Sequence, residues 1–291
     1  MIHERRAEGS AALAAEANLD ARALRLRARR DVSTALAGAY RSAFRGRGLA
    51  FEELREYQPG DDMRTIEWNA TARLGRPISK RMREERDLVV ALLVDLSPSV
   101  DFGSGGSTKR GAIVRAAAAL AAAALGAGDR VALATFARDL VGSLSPSSAP
   151  HQLERVVRAL SACPRAARTD TRAALAWAVN RLPRHAVAIL ISDGLFPDPG
   201  ATLRRCARKH ELCLLRVEDP ADRLPARIAP IRGRGAESGR PLTLRRRRGG
   251  VATPIDLRLL RRLGIEVGIL GTGRRLLPSL QRFFEHRDAP R

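Results

Sequence analysis

The 291-residue chain carries 52 Lys and Arg against 31 Asp and Glu, a formal net charge of +21, with 45% apolar and only 4% aromatic residues. That length and apolar content suit one sizeable α/β domain with an appendage of roughly 80–100 residues, its core built from Leu, Val, Ile and Ala. Cys163, Cys206 and Cys213 have neither metal nor redox spacing and are odd in number, which suits a reducing interior. The charged start MIHERRAEGS has no apolar segment behind it, so neither signal peptide nor membrane anchor is expected and a cytoplasmic location is. The apolar stretch AAAALAAAALGAG (116–128) is too short and too rich in Ala to span a bilayer.

The positive charge would ordinarily indicate a polyanion. Here 49 of the basic residues are Arg and only Lys80, Lys109 and Lys209 are Lys, which with the high Ala content reads as a coding bias across the chain. The densest cluster, 232–248, holds seven Arg including Arg245 to Arg248. It suits a solvated loop, a protein-binding surface, or a nucleic-acid or anionic-lipid contact. No aromatic residues are interleaved to stack bases, so nucleic acid is an unlikely partner and a nucleic-acid or anionic-surface binder is the runner-up.

In chain order, residues 7–43 show helical periodicity through Leu19, Leu24, Leu26 and Leu36 and predict one or two helices. Residues 46–86 differ, with short strand-like pieces around a Pro-Gly-Asp-Asp turn. They predict a small extension packed on the main sheet and anchored by Trp68. Arg55, Arg64 and Arg73 are expected to pair with Asp61, Asp62 or Glu67. From residue 88 a βα alternation begins. It runs through strand 88–94, helix 108–126 and a strand within 128–139 that an antiparallel edge position would suit. Helices 150–161 and 170–181, strand 186–192, helix 200–209 and strand 211–217 follow. Residues 218–254 read as a basic loop or irregular strand. Helix 255–263, strand 265–270 and helix 274–287 close the chain, and no internal repeat is evident.

The chemistry concentrates at strand ends. Asp95, Ser97 and Ser99 form a D-x-S-x-S run directly after the apolar stretch LVVALLV (88–94), with Pro98 forcing a turn. One carboxylate and two hydroxyls then converge at the carboxyl end of a buried strand, where an open α/β sheet binds its ligand. Such a set suits Mg²⁺ or Mn²⁺, although Asp-Ser-Pro-Ser is also ordinary turn and cap chemistry. A second apolar run, AVAILISDG (186–194), ends in Asp193, and between the two lies a loop with Thr169, Asp170 and Thr171 opening a helix.

Together these residues resemble the von Willebrand factor A domain and its metal-ion-dependent adhesion site. The resemblance implies a von Willebrand A-like, Rossmann-like α/β fold: a mostly parallel central sheet with helices on both faces, plus an N-terminal helical and irregular extension. It implies that Asp95, Ser97, Ser99 and Thr169, rather than Thr171, approach Mg²⁺ (or Mn²⁺ or Ca²⁺), with Asp193 acting through water. Val100 stands where Met is commoner, and Ala167-Arg168 where glycines are frequent. Arg168 beside the site would weaken cation binding or help recruit an acidic partner.

A more specific resemblance spans 46–102. Gly48, Arg55, Tyr57, Gly60, Asp61, Asp62, Arg64, Ile66, Trp68, Ala72 and Arg73 match the hallmark of the bacterial and archaeal domain-of-unknown-function 58 family, with Glu67 where Asp is commoner. RVEDPADRLP (216–225) continues it, so it covers roughly residues 44–225. That family has a von Willebrand A-like domain, and its genes commonly lie beside MoxR-type AAA+ ATPases. The division implied is 1–86 for N-terminal helices and extension and 87–291 for the von Willebrand A-like domain. The function implied is a metal-dependent protein–protein interaction module, an adaptor or partner of a MoxR-like AAA+ ATPase in complex assembly or maturation. An acidic residue of the partner or of a client protein would complete the metal site. A Mg²⁺-dependent hydrolase is the other alternative. Against it, there is no Walker-type loop, second metal cluster or Ser-His-Asp constellation, and His3, His151, His185, His210 and His286 read as surface residues.

Overall fold

A computed structural model of the chain describes residues 23–26, 28, 34–44, 49–59, 61–84, 88–104, 107–161, 169–223, 231–234, 241–244, 255–272 and 276–288. Cys163, Arg168 and Arg245 to Arg248, and the expectations attached to them, lie outside the described residues.

Helix α1 (Thr34–Phe44) places Leu36, Tyr40, Ala43 and Phe44 at i, i+4, i+7 and i+8, one face of a helix, and that face is buried in the main core. Strands β1 (Leu49–Glu56) and β2 (Ile78–Glu84) pair antiparallel, with the short helix α2 (Trp68–Leu74) between them. The Arg55 guanidinium meets Asp61 at 2.6 Å, and the other Asp61 oxygen accepts from the Gln58 amide at 3.0 Å, which fixes the turn. Glu67 pairs with Lys80 rather than with an arginine. The Arg64 side chain lies outside the described ones. Trp68 is not the expected anchor: it is 69% exposed, because α2 buries no residue against the rest of the chain.

Strand β3 (Val89–Asp95) is buried along its whole length. Helix α3 (Lys109–Ala127), β4 (Arg130–Phe136), β5 (Leu140–Ser147), α4 (Gln152–Leu160), α5 (Arg172–Arg181), β6 (Val187–Ser192), α6 (Ala201–Lys209) and β7 (Glu211–Glu218) follow. A two-stranded ribbon of β8 (Ile231–Arg234) and β9 (Pro241–Leu244) precedes α7 (Leu257–Arg262), β10 (Glu266–Gly271) and α8 (Leu276–Asp288). The six-stranded sheet runs β10-β7-β6-β3-β4-β5, parallel throughout except for β5. Numbered by chain order within the sheet, that is the doubly wound 3-2-1-4-5-6 arrangement. The von Willebrand A-like α/β fold expected from the sequence is the one observed.

The segment 128–139 is a correction. β4 lies inside the sheet and parallel to β3, and the antiparallel edge is β5, which the sequence reading passed over. β5 was hard to see because LVGSLSPS is partly exposed along its length and holds Gly, Pro and three Ser.

Successive side chains of β3 point to opposite faces and divide the core in two. Val90, Leu92 and Val94 pack with α1, α3, α4 and α8, while Val89, Ala91 and Leu93 pack with α5, α6 and α7. Among the described residues, α3 is a helix long and apolar enough to cross a membrane. Its run Ala116–Ala124 is buried in the core instead, where small side chains let it lie close to β3 and β4. Tyr40 ties the N-terminal helix down: its hydroxyl donates to Asp129 at 2.6 Å, and its ring stands edge-on to Phe284. α1 thus belongs to the core of the sheet domain although it precedes residue 87. In β10, Gly268 is required by packing, since a Cβ there would sit 2.6 Å from the Phe283 ring.

Candidate metal centre

β3 and β6 are neighbours whose following connections leave in opposite directions, so their carboxyl ends open a cleft at the switch point of the sheet. The parallel register sets Val94 beside Ile191, which brings the next residues, Asp95 and Ser192, side by side. Ser192 Oγ donates to Asp95 Oδ2 at 2.6 Å, and the Ser97 amide donates to Oδ1 at 2.9 Å. Asp95 is thereby locked with both oxygens engaged. Ser97 caps a short 3-10 turn (Pro98–Asp101) that folds the chain back, so that Ser97 Oγ and Ser99 Oγ lie 3.0 Å apart. Ser99 Oγ is in turn 3.5 Å from Thr169 Oγ1.

Thr169 reaches this point because the Asp170 amide donates to the Ala137 carbonyl after β4 at 2.8 Å, pinning the start of α5 across the cleft. The Asp170 carboxylate turns away to Arg172. Thr171 is fully buried, and its Oγ1 has no hydrogen-bond partner. Asp193 follows β6, where Gly194 at φ +78° lets the chain turn sharply. Its Oδ1 accepts from the Leu195 amide at 2.9 Å, while Oδ2 is buried without a hydrogen bond. Among the described residues, the cation nearest that oxygen is Lys109 Nζ at 3.9 Å. Lys109 opens α3, is 3% exposed, and pairs with Asp222 at 2.9 Å.

Burial, and then the neighbouring Asp193 charge, push the Asp95 carboxyl up to about 6, against the lowering effect of the Ser192 and Ser97 hydrogen bonds. Burial also raises Asp193, offset by the Leu195 amide, by Lys109 and by the neighbouring Ser99 hydroxyl, while the Asp222 charge adds to the rise. Two carboxylates are therefore held together in a site that penalises their charge.

The sequence-predicted residues Asp95, Ser97, Ser99 and Thr169 stand in one continuous cluster, with Asp193 on the adjoining strand tip. Sequence reasoning missed Ser192, Lys109 and Asp222. The Ser before Asp193 was a readable signal for the first, because adjacent parallel strand tips share a register. Lys109 at a helix start and Asp222 in a turn look like surface residues. Among the described residues, no three His, Cys, Asp or Glu side chains are grouped to hold a metal ion. Any cation here would be bound largely by hydroxyls beside two carboxylates. The chemistry fits a hard divalent ion: oxygen donors only, two carboxyls disfavoured in isolation, and two buried oxygens, Thr171 Oγ1 and Asp193 Oδ2, without a hydrogen bond.

Fold and site together define a von Willebrand A-like α/β protein with an oxygen-rich cleft at its switch point. A family model described as "Protein of unknown function DUF58" matches residues 53–252, and the chain belongs to that family. It is 33% identical over 224 residues to the uncharacterized protein Mb1516 of Mycobacterium bovis, covering 75% of this chain and 70% of that one. The uncharacterized protein Rv1480 of Mycobacterium tuberculosis matches at the same 33% identity and the same coverage, 75% and 70%. Among solved structures, it is similar to a conserved hypothetical protein BatB from Bacteroides thetaiotaomicron, with a TM-score of 0.46, 17% identity, and coverage of 69% of this chain and 98% of that one. It is also similar to the pilus adhesin SpaC from Lactobacillus rhamnosus GG, with a TM-score of 0.42, 11% identity, and coverage of 71% of this chain and 30% of that one. Nothing functional transfers at such scores.

Proposed function

We propose that the protein is a metal-dependent protein–protein interaction module, not an enzyme, and that it works in the cytoplasm. Asp95, Ser97, Ser99 and Thr169 would hold Mg²⁺, or Mn²⁺ or Ca²⁺, with Asp193 acting through water. The observation that carries the reading is the buried Asp193 Oδ2, which lacks a hydrogen bond at the rim of the hydroxyl cluster. A buried carboxylate oxygen without a hydrogen bond is costly even with the Lys109 ammonium 3.9 Å away, and a bound cation with its water would satisfy it.

A bound divalent ion would supply an electrophilic coordination position. The chain's own residues shape what takes it. Few direct carboxylates leave the ion's charge poorly neutralised, and the chain's net charge of +21 favours the approach of acidic groups. A Glu or Asp of another protein suits that position. The family resemblance supplies the context: a MoxR-like AAA+ ATPase and a client protein, with this chain as adaptor in complex assembly or maturation. Purified protein incubated with native extract in Mg²⁺ is expected to retain such an ATPase or its client, and to lose it in EDTA and in Asp95→Ala. Retention unchanged in both controls would overturn the metal-bridged reading.

A further inference from the structure

Lys109 stands out among the buried charges. Its side chain is 3% exposed, and its ammonium lies 2.9 Å and 3.1 Å from the two Asp222 oxygens and 3.9 Å from Asp193 Oδ2, an oxygen without a hydrogen bond. A buried lysine requires carboxylates around it, and these two come from the tip of β6 and from the turn Pro220–Arg223 after β7. Asp222 is a fixed partner, because its Oδ2 also accepts from the Asp219 amide at 2.8 Å. Asp219 in turn is clamped by Thr272, by the Ser104 amide and hydroxyl, and by the Ala221 amide. Asp193 is the looser partner, too far for a hydrogen bond. The lysine is thus a positive charge on a flexible stem between one rigid carboxylate and the carboxylate of the candidate cation site.

We propose that Lys109 is a tethered counter-cation for Asp193: its ammonium competes with a divalent ion at the switch-point cleft, and Asp222 determines how far it is held away. The inference rests on the reading of the cleft as a cation site and adds how that site is tuned. Two unit charges a few ångströms apart in a partly desolvated cleft repel strongly. Removing the ammonium therefore strengthens metal binding. Removing Asp222 frees the ammonium to close on Asp193 and weakens binding, although Asp222 touches no proposed ligand directly.

The test is calorimetric titration of the full chain with Mn²⁺ for the wild type, Lys109→Met, Asp222→Asn and the double variant, each first checked for native near-ultraviolet circular dichroism. Lys109→Met is expected to bind about tenfold tighter or better and Asp222→Asn about tenfold weaker, from the loss or approach of one charge at this range. In the double variant the Asp222→Asn effect is expected to shrink, since it acts through the lysine. Binding by Lys109→Met alone, with none by the wild type, would also support the proposal. Equal or weaker binding by Lys109→Met, or an Asp222→Asn effect unchanged in the double variant, would overturn it while leaving the cation site intact. No binding by any of the four proteins would overturn both. Should Lys109→Met not fold, the Asp222→Asn result decides: unchanged or tighter Mn²⁺ binding overturns the proposal.

Discussion

Replacing Asp95 by Asn should stabilise the metal-free protein, the opposite of what removing a buried, doubly hydrogen-bonded side chain usually does. Asp95 is fully buried and its carboxyl is raised from 3.8 to about 6. A raised carboxyl means that the folded state binds the proton more tightly than the unfolded state. Its contribution to stability is therefore full at low pH and is lost as pH rises from 3.8 through about 6. At about 1.36 kcal/mol per pH unit, the charged form costs roughly 3 kcal/mol at pH 8. Asn has the same shape, keeps an acceptor for the Ser97 amide, and can donate to Ser192 Oγ in place of accepting from it. In EDTA at pH 8, Asp95→Asn should therefore melt higher by roughly 5 °C for a chain of this size. The difference should narrow steadily between pH 6 and pH 4.5. With Mg²⁺ at about 100 times its dissociation constant the gap should nearly close, because only the wild type gains binding energy, about 2.7 kcal/mol, and at about 1,000 times, where the gain is about 4.1 kcal/mol, the order should reverse. Thermal melts followed by circular dichroism across pH, with and without EDTA, measure all of this. A variant that melts below the wild type in EDTA at pH 8 would refute the reasoning.

Trp68→Ala should change stability by no more than about 0.5 kcal/mol, since the indole is 69% exposed; a loss of several kcal/mol in urea unfolding would mean it is buried. Tyr40→Phe removes the donor to Asp129 and should cost roughly 1.5–3 kcal/mol in the same assay, the range for a hydrogen bond to a charged group. Gly268→Ala would force a Cβ against Phe283 and Leu215 and should lower stability by roughly 1–3 kcal/mol; an unchanged urea midpoint would contradict the close contact of α8 on β10.

The sheet was legible where strands are buried on both faces. VVALLVD and VAILIS are continuous apolar runs with polar tips, and a parallel strand between two helix layers has no face left for polar residues. RVALATF carries the same signature, and it is buried from Val131 to Phe136 in the interior of the sheet. β5 escaped because an edge strand with one solvated face reads as a loop when its polar positions are Ser and Gly. His210 was misjudged from its company. It follows Arg208 and Lys209, but it ends α6 where the chain enters β7, so the residue is only 4% exposed and Nε2 meets the Ala178 carbonyl at 3.1 Å. Trp68 was misjudged the other way, since an aromatic residue in charged surroundings suggested an anchor. The D-x-S-x-S geometry followed from local turn chemistry. Ser192, Lys109 and Asp222 depend on which strands become neighbours, and that is set by the whole sheet.

The most direct test of the central claim is a crystal of the full chain grown or soaked with Mn²⁺ and measured for anomalous scattering. The account predicts one strong peak bounded by Asp95, Ser97, Ser99 and Thr169, with Asp193 reached through water and the Lys109 ammonium turned toward Asp222. A cleft without a peak at saturating Mn²⁺, or a peak only at another site, would contradict it.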